Sequence, residues 1–217
     1  MLEHGGLVAL HEPFDNIGDH GSTEVNGHPV ADPAELITTL LGLAETSAAF
    51  VKETTDRRHH AVLADQRFLA EVTHTFIIRA PAEIVASCYA LQGPRLTLGE
   101  IGLEHAYDLY QAILAAGGAE PVVVDSDDLI ADPAATMAAY CAATGIPFRR
   151  SALRWSPGER EEWRHSARWH ARVSQTSGFT RSATGYEITT ANNAMLARYS
   201  AYHEPFYREL RARRLIV

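Results

Sequence analysis

Two side chains in one short stretch suit a phosphate. Arg79 follows the apolar run Thr75 to Ile78, and Ser87 lies eight positions further on. The run reads as a buried strand, and Pro81 with Glu83 reads as the first turn of a helix, so the junction is a strand-to-helix turn. Arg79 then projects from the carboxyl edge of a sheet, where open α/β sheets hold their ligands. Ser87 shares a helical face with Ile84, Cys88 and Leu91. The planar fork of a guanidinium matches phosphate oxygens, and the hydroxyl adds a donor. The competing uses are an ion pair of Arg79 with Glu83 or Asp125, and simple packing of a small residue for Ser87.

Two more strand ends offer reactive groups. Leu7 to Leu10 reads as a strand that delivers His11-Glu12-Pro13-Phe14, and Ala48 to Val51 as one that delivers Lys52 and Glu53. Residues 15–31 are rich in Gly, Asp, Asn and His and read as a loop, either bordering substrate or connecting on the surface. Asp32-Pro33-x-Glu35 caps a helix to about Glu45, Asp56 to His60 is a charged turn, and Asp65 to Val72 is a short helix. Leu103, Ala106, Tyr107, Tyr110 and Ile113 form one face of a longer helix, and Pro121 to Val124 is a valine-rich strand. Asp132-Pro133 caps a further helix that ends at Gly145. Such alternation predicts a three-layer αβα arrangement of one domain, 1–217, around a central parallel sheet.

The C-terminal third is expected to be helical. Ser156-Pro157-Gly158-Glu159 is a capping box, and after it Trp163, Ala167, His170 and Val173 form one stripe. Arg160, Arg164, Arg168 and Arg172 form a charged stripe on the same helix. Residues 192–214 suit a terminal helix that Pro205 kinks or interrupts.

Arg79, Pro81, Ser87 and Tyr89 together match R-x-P-x-x-x-x-x-S-x-Y, and Asp125 to Phe148 carries acidic-Asp-Leu, Asp-Pro and Gly-x-Pro features. With VKET at 51–54 and HEPF at 11–14, the chain resembles the sulfotransferases that use 3′-phosphoadenosine-5′-phosphosulfate (PAPS), bacterial members most closely. The resemblance implies the P-loop, nucleoside-kinase-like sulfotransferase fold. It also implies sulfuryl transfer from PAPS to a hydroxyl or amine of a small molecule, without a metal. Arg79 and Ser87 would bind the 3′-phosphate of the nucleotide, and Lys52 would stabilise the leaving phosphate. The family's histidine near that lysine is Thr54 here, so His11 is the substitute base, with Glu12 and Glu53 as rivals for the role. In the family, a strand and a Pro-Arg/Lys-Ser loop that wraps the 5′-phosphosulfate come before the point where this sequence begins. The expected fold is therefore N-terminally incomplete. The alternative function is a non-sulfating relic, a binding module or a repurposed enzyme on the same scaffold.

Composition excludes several other classes. A net charge of −8 over 217 residues argues against a general nucleic-acid binder, which needs a basic face. No apolar run approaches the roughly 20 residues of a membrane span, and Cys88 and Cys141 sit in apolar helical contexts as reduced thiols, so a cytoplasmic protein is expected. The eleven histidines include no H-E-x-x-H and no i, i+4 ligand pair, so no zinc site is expected. Asp125, Asp127 and Asp128 are read as caps of the next turn rather than metal ligands. The acceptor is set by loops such as 15–31 and 174–190, and oligomeric state is not encoded in any pattern found.

Overall fold

A computed structural model describes residues 1–180 and 185–217. After a single 3-10 turn at Leu2–His4, strand β1 (Val8–His11) leads into helix α1 (Pro13–His20). A hairpin of β2 (Thr23–Val25) and β3 (His28–Val30) is followed by α2 (Pro33–Ala44) and β4 (Ala49–Lys52). Then come α3 (His60–Ala64), α4 (Gln66–Glu71), β5 (Thr75–Ile78), α5 (Pro81–Gln92) and α6 (Leu103–Ala115). The chain continues through β6 (Val122–Asp125), α7 (Ser126–Ala131), α8 (Pro133–Thr144), α9 (Ala167–His170) and α10 (Ala194–Arg211).

The expected αβα fold with a large central parallel sheet is not what forms. Among the described residues, helix accounts for 54% and strand for 12%, and the named strands pair two by two. β1 pairs in parallel with β4, placing His11 opposite Lys52, and β5 pairs in parallel with β6, placing Ile78 opposite Asp125. Hydrophobic runs mark four strands close to their expected positions, but a run of four residues does not encode which strand lies beside it. β5 also departs from a strand covered on both faces. Phe76 and Ile78 are buried while Ile77 between them is 67% exposed.

Helices supply the burial that further strands would have given. Val85 of α5, Tyr110 and Ile113 of α6, and Leu196 and Leu210 of α10 are fully buried in one core with Leu36, Ile37 and Leu69. Burying each such side chain stabilises the fold by about 1.5–3 kcal/mol before entropy is counted. Pro205 lies on the exposed side of α10, and the helix runs through it without interruption.

Two further expectations are corrected. Residues 15–31 are not a loop: Pro13 at the first helical position starts α1, and Asn26-Gly27, both at positive φ, turns the β2–β3 hairpin. Asn-Gly is the residue pair that such a two-residue turn, with both central residues at positive φ, demands. The long helix after Ser156 breaks into short pieces at Glu161–Trp163, Ala167–His170 and Val173–Gln175. Gly158 explains the start of this: its φ of 144° is not helical, and its N–H donates to the Ser174 carbonyl at 2.8 Å. The acceptor loop expected at 174–190 includes 181–184, which lie outside the described residues.

Candidate functional site

The parallel register of β1 and β4 ends with His11 beside Lys52, and the chain then turns sharply at Glu12. Glu12 adopts φ 51° and ψ 48°, the left-handed region, which costs a residue with a Cβ about 1 kcal/mol or more. Its N–H donates to the Lys52 carbonyl at 2.6 Å and its carbonyl accepts from Asn16 N–H at 2.9 Å, so the strained turn is held from both sides. The Glu12 carboxylate accepts a charge-assisted hydrogen bond from the Lys52 ammonium. Three residues expected to carry chemistry, His11, Glu12 and Lys52, therefore do meet at one place.

A fourth joins them from far along the chain. His170 of α9 brings its Nε2 to 3.2 Å from His11 Nε2, and Ser166 Oγ stands 3.2 Å from that same nitrogen. Trp163 stacks on His170 with ring centroids 4.6 Å apart and planes 19° from parallel. Trp163, Ala167 and His170 line an open cleft of about 390 Å³, with Arg160, Arg164 and Glu161 at its polar side.

Burial sets the protonation of this group. It lowers the His11 imidazole, against the pull of Glu12, and holds His170 down at about 4, with His11 and Lys52 adding to the effect. Burial alone would raise the Glu12 carboxyl, but the Lys52 hydrogen bond and charge, with His11 and His170 behind them, keep it below its ordinary value. Near neutral pH the site holds two uncharged imidazoles and a carboxylate matched by one ammonium.

A second layer stands behind the first. Glu53 accepts N–H bonds from Phe14 at 2.8 Å and Thr54 at 3.0 Å, and Asp15 accepts the Thr54 hydroxyl at 2.6 Å. Arg57 closes on Asp15 at 3.0 Å and on Asp19 at 2.8 Å. Burial and the neighbouring Asp15 push the Glu53 carboxyl up to about 9, so at neutral pH it is protonated and ill suited to the role of base. Thr54, the residue in place of the family's histidine, is tied to Asp15 and Asp56, both at 2.6 Å.

The other predicted pair lies elsewhere. Arg79 follows β5 as expected, but its Nε donates to Glu83 at 2.6 Å, one turn into α5. Ser87 is half-buried on α5, and neither residue is among those lining the cleft. Asp125 accepts from Tyr207 at 2.9 Å and Arg211 at 3.0 Å, and caps α7 by accepting from Asp127 N–H at 2.9 Å. Asp128 is held by Arg214 at 2.8 Å.

The sulfotransferase domain family matches residues 25–214. The chain belongs to that family. Lys52, Arg79, Ser87 and His170 fall within the matched span, whereas His11 and Glu12 precede it. Among curated proteins, this sulfotransferase-domain chain is similar to branched-chain-amino-acid aminotransferase-like protein 1 of Arabidopsis thaliana, 32% identical over 110 residues. The matched part is 49% of this chain and 19% of the plant protein. The second such protein of the same plant is 29% identical over 113 residues, 52% of this chain and 20% of its own length. The match thus spans about a fifth of these curated relatives. No solved structure matches. Among the described residues, no helix is long and apolar enough to cross a membrane.

The sequence marks neither His170 nor Ser166 as a site residue, and it offers Trp163 only as an aromatic that stacks on a base or lines a pocket, with core packing as the alternative. The shared stripe of Trp163 and His170 rests on one long helix, and that helix does not form.

Proposed function

We propose that this chain uses the sulfotransferase scaffold for something other than sulfuryl transfer from PAPS, as a single cytoplasmic domain acting on a small molecule. One observation carries this reading. Both cations that the family resemblance gives to the donor nucleotide are matched by carboxylates of the chain itself, Arg79 by Glu83 and Lys52 by Glu12. A phosphate at either place would share the cation with a carboxylate already within hydrogen-bond reach. The groups that converge instead, His11, His170 and Glu12, are electron-pair donors suited to a proton or a cation. The naming of the two plant relatives as aminotransferase-like supports a use of this segment outside sulfation.

Sulfuryl transfer is the second reading, favoured by the family match and by Lys52 standing at a strand end. A transfer assay with labelled PAPS and a panel of small hydroxyl and amine acceptors separates the two. The proposed reading predicts no transfer above the protein-free control. Transfer that disappears in Arg79→Ala or Lys52→Ala overturns it.

A further inference from the structure

We propose that His11, Glu12 and His170 bind one divalent transition-metal ion of zinc-like preference, with Lys52 as a competitor built into the site. This rests on the reading above that the β1–β4 end, and not Arg79, is the working site.

Three donor atoms converge on one place. His11 Nε2, His170 Nε2 and a Glu12 oxygen all lie within 4.8 Å of one another. The two nitrogens are 3.2 Å apart, and His11 Nε2 is 3.5 Å from Glu12 Oε1. Around a tetrahedral zinc with bonds of about 2.0–2.1 Å, neighbouring ligand atoms stand roughly 3.3 Å apart. Two imidazoles and one carboxylate are also a known donor set for zinc with an open fourth position.

Hydrogen bonding alone does not account for the crowding. His11 Nε2 has Ser166 Oγ, His170 Nε2 and Glu12 Oε1 around it, and a single N–H serves one of them well. Trp163 stacked on His170 fixes that ring, and the β1–β4 register fixes His11 and Glu12. The nearby trio Asp15, Glu53 and His59 is a weaker candidate, because Arg57 and Thr54 already occupy Asp15.

The test uses the full chain, stripped with chelator and titrated with Zn²⁺ by calorimetry and with Co²⁺ by visible absorption. The expected result is one ion per chain with the absorption of four-coordinate cobalt. His11→Ala and His170→Ala should each weaken binding about 10-fold or more. Lys52→Met should tighten it several-fold, because it removes the ammonium that holds Glu12. His165→Ala, which breaks the exposed His20–His165 ring pair, should change nothing. Absence of binding, binding indifferent to both histidine changes, loss in His165→Ala, or weakening in Lys52→Met overturns the site. Melting curves without metal report whether the histidine variants fold, and Lys52→Met decides the matter where they do not. Adenosine 3′,5′-bisphosphate is titrated into the same samples. Arg79-dependent binding of it overturns the functional reading, whereas absence of both ligands overturns the metal site alone.

Discussion

The Nε2 atoms of His11 and His170, separated by 159 positions in sequence, lie 3.2 Å apart at the end of the β1–β4 ribbon. That contact makes a site from a strand end and a four-residue helix that share no motif. Beside it, Lys52 and Glu12 neutralise each other, so the site offers lone pairs more readily than positive charge.

The turn at Glu12 predicts an inverted alanine and glycine order. Glycine normally costs stability, but at φ 51° it escapes the Cβ clash that alanine keeps. Glu12→Gly should exceed Glu12→Ala by about 1 kcal/mol, a melting difference of roughly 2–4 °C for a chain of this size. Equal or lower stability of the glycine variant would show that the turn is not strained.

Arg79 and Glu83 form an exposed i, i+4 pair, each more than a third accessible. Such pairs contribute about 0.5 kcal/mol or less. Arg79→Ala should therefore shift thermal unfolding by no more than about 2 °C. A larger loss would mean that Arg79 holds something in the fold beyond Glu83.

Asp125 is a structural residue on this account. It is 1% exposed, receives the Tyr207 hydroxyl and Arg211, and caps α7. Asp125→Ala leaves a buried hydroxyl unpaired and removes a cap, together about 2–4 kcal/mol, so melting should fall on the order of 10 °C. Tyr207→Phe should cost less, because it removes the donor along with the bond.

Glu53 gives stability a defined pH dependence. Burial and then Asp15 raise its folded value to about 9, from 4.5 when unfolded, although the Thr54 and Phe14 N–H groups pull the other way. The folded protein therefore holds a proton that the unfolded chain releases. Its contribution is fully present below about pH 4.5 and is lost as pH rises through about 9. Thr54, Arg57 and His59 face Asp15 from the other side. The buried histidines act in the opposite sense below about pH 6.5, so the Glu53 contribution is read as the melting difference between wild type and Glu53→Gln, which should decline between about pH 5 and pH 9 and decline less in an Asp15→Asn background. A difference that does not change, or that grows, over this range contradicts the assignment.

Local signals carried much of the chain and failed at long range for identifiable reasons. Asp32 and Asp132 were legible as helix caps because the side chain meets backbone N–H groups two or three residues away, and both do so. Lys52 and Arg79 were legible as strand-end residues for the same local reason. Sheet extent was not legible, since the apolar run at Thr75 to Ile78 fits a strand beside one neighbour as well as a strand between two. The contact of His170 with His11 was invisible because no spacing rule spans 159 residues and because Gly158 dissolves the helix that seemed to carry it. The Asn26-Gly27 hairpin was legible in principle and was hidden by the polar character of its surroundings.

The most direct measurement is thermal unfolding of the wild-type chain with adenosine 3′,5′-bisphosphate, beside ATP, buffer and Arg79→Ala. A ligand bound only by the folded state must raise the melting temperature. No shift with the bisphosphate is expected, because the two cations it would need each face a carboxylate of the chain, Glu83 and Glu12. A concentration-dependent rise that vanishes in Arg79→Ala would contradict it.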